Sequence, residues 1–171
     1  MSVVLDYEIS AMTGADGRGV AELLELPGVR FGTFVHPFRT TAFVERAQRR
    51  AADGDLTLVA RSAGTVIGQA MLTAGRGRRR HAGSVFLAVH DAYRGQGVGS
   101  SLLGSIIAFS ERRQGLARLE LFVFHDNDAA LALYEKMGFV REGLHTAYAF
   151  RDGVRVACVS MARIREGEPA A

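Results

Sequence analysis

Three glycines alternate at Gly95, Gly97 and Gly99, directly after an apolar run of strand length and directly before an apolar run at helical spacing. No other feature restricts the fold so tightly. The segment Val89-His-Asp-Ala-Tyr-Arg94-Gly-Gln-Gly97-Val-Gly99-Ser-Ser-Leu-Leu103 predicts a buried strand, a glycine turn and a helix. Glycine reaches positive φ at little cost and lets a ligand approach the main chain with no Cβ in the way. The amides of Gln96 to Ser100 would lie at the helix N-terminus, where no intrahelical acceptor is available. Such a nest, at the positive end of the helix dipole, suits a phosphate or diphosphate.

Rival phosphate loops fail on particular residues. A Walker A loop requires Gly-Lys-Ser/Thr, and the only lysine of the chain is Lys136. A dinucleotide fingerprint would require glycine at position 100, where Ser100 stands, and an acid at the end of the next strand, whereas Glu120 sits in mid-strand. The plain alternative is a strand–helix connection whose glycines serve tight turning alone.

The remainder of the chain predicts one domain over residues 1–164 and a small, polar tail over 165–171. Arginine supplies nearly all the cations behind a net charge of +3, which favours anionic ligands without choosing among them. The basic run Arg76, Arg78, Arg79, Arg80 lacks interleaved aromatics, so a solvated loop is expected there and no nucleic-acid surface. Cys158 is the single cysteine, which excludes an internal disulfide and thiolate-rich zinc sites, and no metal site is expected. Leu102–Phe109, the most apolar helical stretch, falls far short of the roughly 20 residues of a membrane span. Without a basic leader segment, a cytoplasmic location is expected.

Periodicity sets the other elements. Tyr7–Ser10 reads as a short strand, Val20–Leu26 as a helix stopped by Pro27-Gly28, and Val29–Phe38 as irregular and aromatic. Thr40–Ala52 reads as an amphipathic helix. Leu56–Arg61 and Thr65–Thr73 form a hairpin about Ser62-Ala63-Gly64, and Ser84–Val89 reads as a central strand. Helix Val98–Arg113, strand Arg118–Phe124, helix Asp128–Met137 closed by Gly138, and a hairpin about Asp152-Gly153 complete the order. This is a mixed α/β layout, one sheet covered by helices.

A second block has its own logic. In Leu121-Phe-Val-Phe-His-Asp-Asn127-Asp-Ala-Ala130-Leu-Ala-Leu-Tyr134-Glu-Lys-Met-Gly138-Phe139, Asn127 precedes a helix and can cap it or hold a ligand's amide arm. Ala130 permits close approach, and Tyr134, two turns on, shares a face with Asn127. A core aromatic is the plain reading of Tyr134, and a small buried hydrophobe that of Cys158.

The two blocks together resemble the signatures of the GNAT superfamily of acetyltransferases. Pro27-Gly-Val, Arg78-Arg-Arg-His81, Val89-His90 and Phe139-Val-Arg-Glu-Gly143…Tyr148…Arg151-Asp-Gly153 extend the likeness over about residues 7–163, closest to the branch with bacterial L-amino-acid N-acetyltransferases. The resemblance implies an α/β (α+β) fold with a mixed, largely antiparallel sheet of about six to seven strands and about four helices. It implies direct acetyl transfer from acetyl-CoA to a primary amine of a small molecule, an amino acid or analogue among them, and pairing as a homodimer. Peptide or protein amines, or a non-catalytic acyl-CoA-binding module, are the alternatives.

The resemblance also assigns residues. Cofactor contacts fall on Leu87, Ala88, Val89, Arg94, Gly95, Gln96, Gly97, Val98, Gly99, Ser100, Asn127, Ala130 and Tyr134, with the sheet splaying beside Leu87–Val89. Tyr134 becomes the general acid for the departing thiolate. The acceptor wall falls on Phe31, Phe34, His36, Phe38, His81, Ser84 and Tyr148, with Arg151 to hold a carboxylate. Many relatives carry a carboxylate on the strand before the glycine turn. Here Gly83-Ser-Val-Phe-Leu-Ala88 has none, which leaves Glu120, His81, His125 or bulk deprotonation to unload the amine.

Overall fold

The computed structural model describes residues 5–35, 55–112 and 116–165. The predicted helix over 40–52, together with His36, Phe38 and the end of the tail, lies outside the described residues.

Strands β1 (Glu8–Ala11), β2 (Leu56–Ser62), β3 (Thr65–Ala74), β4 (Ala82–Val89), β5 (Arg118–Phe124), β6 (Val140–Arg151) and β7 (Val154–Ile164) form one seven-stranded sheet. Its order is β1-β2-β3-β4-β5-β7-β6, and only the β4–β5 neighbours are parallel. Ala63 and Gly64, like Asp152 and Gly153, turn their hairpins with positive φ, as the sequence predicts.

Helix α1 (Gly17–Glu25) buries Val20, Leu23 and Leu24 at i, i+3 and i+4 spacing. It ends at Leu26, whose extended ψ of 137° suits the residue before a proline. Pro27 does more than stop α1. Its fixed φ preorganises the first position of a second helix, α2 (Pro27–Gly32), where the sequence predicts irregular chain. Helices α3 (Val98–Arg112) and α4 (Asp128–Lys136) follow β4 and β5. No described helix is long and apolar enough to cross a membrane.

Two cores lie on opposite faces of the sheet. Val85, Leu119, Leu121 and Val123 join Val98, Leu102, Ile106, Leu131 and Tyr134 under α3 and α4. Val59, Val66 and Ala88 join Val20, Leu24 and Val29 under α1 and α2. Strand alternation therefore decides which side chains of β4 and β5 serve which face. Odd positions go to the α3/α4 core. Even positions, Ser84, Phe86, Glu120, Phe122 and Phe124, face the side where α2 lies.

At the start of α1, Asp16 takes two guanidinium contacts from Arg61, at 2.7 and 2.6 Å, tying that helix to β2. Arg61 holds its carboxyl down at about 2.

Candidate active site

The parallel pairing of β4 with β5 lasts for three rungs, Ala82–Arg118, Gly83–Leu119 and Ser84–Glu120, and then the strands part. The β3 side of β4 shows which main-chain groups are left open. Gly75 N–H donates to Ala82 O at 2.8 Å and His90 N–H to Ile67 O at 2.9 Å, so even positions of β4 bond to β3. Leu87 and Val89 consequently turn their N–H and C=O toward the notch, an unpaired strand edge. Ala88 turns its main-chain N–H to β3 and its side chain into the α1 core, yet it too lines the cleft beside the notch.

The glycine turn stands at the head of this notch. Gly95 has φ +72° and Gly97 φ +86°, and a Cβ on either would meet nothing, so backbone conformation alone demands glycine there. Gly99 serves packing instead: a Cβ there would come within 3.2 Å of Leu133. The first helical bond runs from Ser101 N–H to Gly97 O at 3.0 Å. Among the described residues nothing accepts the amides of Gly95 to Ser100. Val98 is buried and anchors the turn in the core, while Gln96 folds its side-chain amide back onto Ala92 O at 3.0 Å. Arg94 lies 2.9 Å from Asp91, whose other carboxylate oxygen accepts Gly28 N–H at 2.8 Å. The loop is thereby tied to the start of α2.

Asn127 performs the capping role open to it: its Oδ1 accepts Ala130 N–H at 3.3 Å. Its Nδ2 donates to Gly32 O at 3.2 Å, so α2 is held at both ends by elements flanking the notch. Tyr134 is 7% exposed, with its ring 5.8 Å from Phe139, and it lines the cleft without a hydroxyl partner among the described residues. Burial pushes its phenol well above the ordinary value near 10, so it keeps its proton.

One cleft of about 620 Å³ joins these parts, within the usual range of a ligand site. Leu87, Val89, Arg94, Gly95, Gly97, Gly99, Ser100, Asn127, Ala130 and Tyr134 all line it. An uncommitted nest, an open strand edge and a slot of this size fit a long cofactor with a diphosphate and an extended amide arm.

The acceptor end differs from the sequence-based expectation. Phe34 and Ser84 line the cleft, whereas His81 is exposed ahead of β4 and outside the lining. Tyr148 stands behind the lining, stacked on Phe122 at 5.1 Å and 9°. A register shift between His145 and Ala149, with Ala147 at φ +52°, marks a bulge that re-aims this part of β6. Arg151, expected as a carboxylate clamp, lies outside the lining and is already paired. Both of its terminal nitrogens engage Asp126, and its guanidinium lies between the Phe31 and Phe124 rings, at 4.0 and 4.7 Å. Phe122, Leu121, Thr33 and Lys136 line the cleft unforeseen. The alternation that buries Leu119, Leu121 and Val123 was the available signal for Glu120 and Phe122, on the opposite face. Cys158 is fully buried, and burial pushes its thiol up to about 11, which suits packing and not attack.

Comparison with known proteins agrees with this geometry. The model of the Acetyltransferase (GNAT) family matches residues 21–139. The L-amino acid N-acetyltransferase AaaT of Escherichia coli (strain K12) is 36% identical over 121 residues, 69% of this chain and 75% of the relative. The N-alpha-acetyltransferase RimI of Mycobacterium tuberculosis is 36% identical over 143 residues, 82% of each chain. Among solved structures, a GNAT-family acetyltransferase from Streptococcus pneumoniae superposes with a TM-score of 0.84 at 29% identity, covering 93% of this chain and 99% of the other. A phosphinothricin acetyltransferase from Sinorhizobium meliloti, solved with acetyl-CoA, shares the fold with a TM-score of 0.82 at 24% identity, covering 94% and 90%.

Proposed function

The chain belongs to the acetyltransferase (GNAT) family and is an acetyl-CoA-dependent N-acetyltransferase; on that premise we propose that its acceptor is the primary amine of a small molecule and that Tyr134 is its general acid. The observation that carries this reading is the set of unaccepted amides at Gly95 to Ser100, heading the same cleft that holds Tyr134.

Acetyl-CoA supplies an activated acyl group as a thioester, to be attacked directly by the amine. The chain supplies the rest. The nest binds the diphosphate through charge-assisted hydrogen bonds of roughly 1.5–3 kcal/mol each. Leu87 and Val89 hold the extended arm as an added strand would be held, and their main chain borders the point where negative charge develops. Asn127 and Ala130 shape the opposite wall. Tyr134, kept protonated by burial, gives its proton to the departing sulfur.

The L-amino acid N-acetyltransferase relative supports a small acceptor. The engagement of Arg151 by Asp126 weakens the case for a carboxylate on it. A cytoplasmic location is supported by a lone cysteine held buried as the thiol. Exposed Leu144 and Phe150 on edge strand β6 support pairing of two copies, which sedimentation checks.

Thiol release from acetyl-CoA, measured against amino acids, arylalkylamines, polyamines, aminoglycosides and peptides, tests the reading. Release with small amines is expected. Release with peptide N-termini alone would overturn the small acceptor, and CoA binding without release from any amine would mark a binding module.

A further inference from the structure

An amine that enters as an ammonium must lose a proton before it can attack, and the cleft offers few acceptors. Among the described residues that line it, Glu120 is the one carboxylate, and no histidine lines it. His81 and His125, the other candidates from sequence, stand outside the lining.

Glu120 occupies a distinctive position. It pairs in register with Ser84 on the last rung before β4 and β5 part, so both side chains stand at the root of the notch. Alternation places them on the α2 face of the sheet, with Phe122, while Tyr134 reaches the same cleft from α4 on the opposite face. A carboxylate and a phenol thus flank the notch from its two sides.

The carboxylate is fixed but not used up. Arg79 donates to Oε1 at 2.6 Å and Arg118 Nε to Oε2 at 3.2 Å, which takes two of its roughly four lone-pair sites. Arg118 is in turn engaged by Glu142 of β6. Ser84 from β4, Thr33 after α2, Tyr93, Arg94, Ser100 and Asn127 from the loops and helix start, and Lys136 and Tyr134 from α4 are the other polar side chains that line the cleft. Ser84 has no hydroxyl partner among the described residues. Beside Glu120, Phe122 is 42% exposed and stacks on Tyr148, and Phe34 lies 4.6 Å from Phe124 and 5.8 Å from Tyr148.

We propose that Glu120 receives the acceptor's ammonium at the root of the β4–β5 notch, and that Phe34 and Phe122, backed by Tyr148, select an amine with a flat apolar body and no need of a carboxylate. This rests on the small-amine reading above and names its substrate class. In the step, the ammonium passes one proton to the Glu120 carboxylate. The freed nitrogen lone pair forms the C–N bond as the C–S bond breaks. Sulfur leaves with the bonding pair and takes the Tyr134 proton. The nitrogen's second proton restores Tyr134, and Glu120 releases its proton to solvent, one per turnover.

The test uses acetyl-CoA with 2-phenylethylamine and L-phenylalanine as probes, with thiol release, CoA titration and melting temperature as readouts. The parent should use phenylethylamine at least as well as phenylalanine. Glu120→Gln should lose roughly 100-fold in kcat/KM at about pH 7, with CoA affinity retained. The deficit should shrink about tenfold by about pH 9.5, since an amine with an ordinary pKa near 10 then enters partly unprotonated. Adding Ser84→Glu to that variant moves a carboxylate to the register partner and should restore about tenfold at neutral pH. Parental activity in Glu120→Gln, or an equal loss at every pH without rescue, would overturn the assignment. A parent that prefers phenylalanine more than about tenfold would overturn the acceptor class. Should the glutamine variant fail to fold, Glu120→Asp keeps the charge and shortens the reach. It should lose about tenfold with the same alkaline recovery, and parity with the parent would count against Glu120. A parent silent with every amine would sink the small-amine reading itself, and this assignment with it.

Discussion

The two ends of the cleft are built on different principles. The cofactor end is made of main chain: amides left open by a glycine turn, a strand edge left open by a splay, and a capped helix start. Its few side chains, Val98, Asn127 and Tyr134, serve to place those groups or to act beside them. The acceptor end is made of side chains from α2, β5, β6 and the loop before β4, and most hold one another. Arg151 is held by Asp126, Glu120 by Arg79 and Arg118, and Phe122 by Tyr148. A main-chain site is suited to an invariant ligand such as a diphosphate, while a mutually braced set of side chains can be exchanged to suit another acceptor.

That contrast can be broken by substitution. Tyr134→Phe removes the proton donor and keeps the ring, so turnover should fall by ~10²–10⁴ with CoA affinity nearly unchanged. Rapid-quench or steady-state kinetics beside a CoA titration checks it, and equal turnover would take Tyr134 out of the chemistry.

A change outside both ends should leave the contrast intact. With Asp16 at 6% exposed and held at about 2 against an ordinary 3.8, its charged contacts with Arg61 and Thr13 together contribute about 2 kcal/mol, a shift of roughly 30-fold in the folding equilibrium. The folded value is the depressed one, so this stability is fully present above about pH 4 and is lost as pH falls through about 2. Denaturant melts of the parent and Asp16→Asn should differ at neutral pH and converge in acid, with the KM for acetyl-CoA unaffected.

Gly97→Ala should weaken CoA about tenfold, because an L-residue at φ +86° costs on the order of 1–2 kcal/mol and the loop relaxes its amides to avoid it. Calorimetric titration reads the loss, and unchanged acceptor KM would sharpen the division between the ends. Phe122→Ala should do the reverse and more weakly, raising acceptor KM by about tenfold or less while leaving CoA binding alone.

The same contrast decides what could be read from sequence. Gly95, Gly97, Asn127 and Gly138 act through local backbone geometry that a short segment specifies, so the nest, the cap and the helix end follow from residue type and spacing. The β4–β5 splay came from family likeness, while its three-rung register had no signal in the sequence. The acceptor end depends on residues distant in sequence. Neither the Arg151–Asp126 pair nor the Phe122–Tyr148 stack has a local signature, and each exists only because β5, β6 and β7 lie side by side. Pro27 misled for a related reason: as a helix stop and as a helix start it is the same residue, and only the packing of Val29 selects the second role.

The most direct measurement follows the backbone amides of an isotopically labelled sample as CoA is added. Saturable shifts of the Gly95, Gln96, Gly97 and Ser100 amide signals, absent when a CoA fragment lacking the diphosphate is used, are the predicted result. Binding of CoA with those signals unmoved, or no association at all, would contradict a diphosphate site made of main chain.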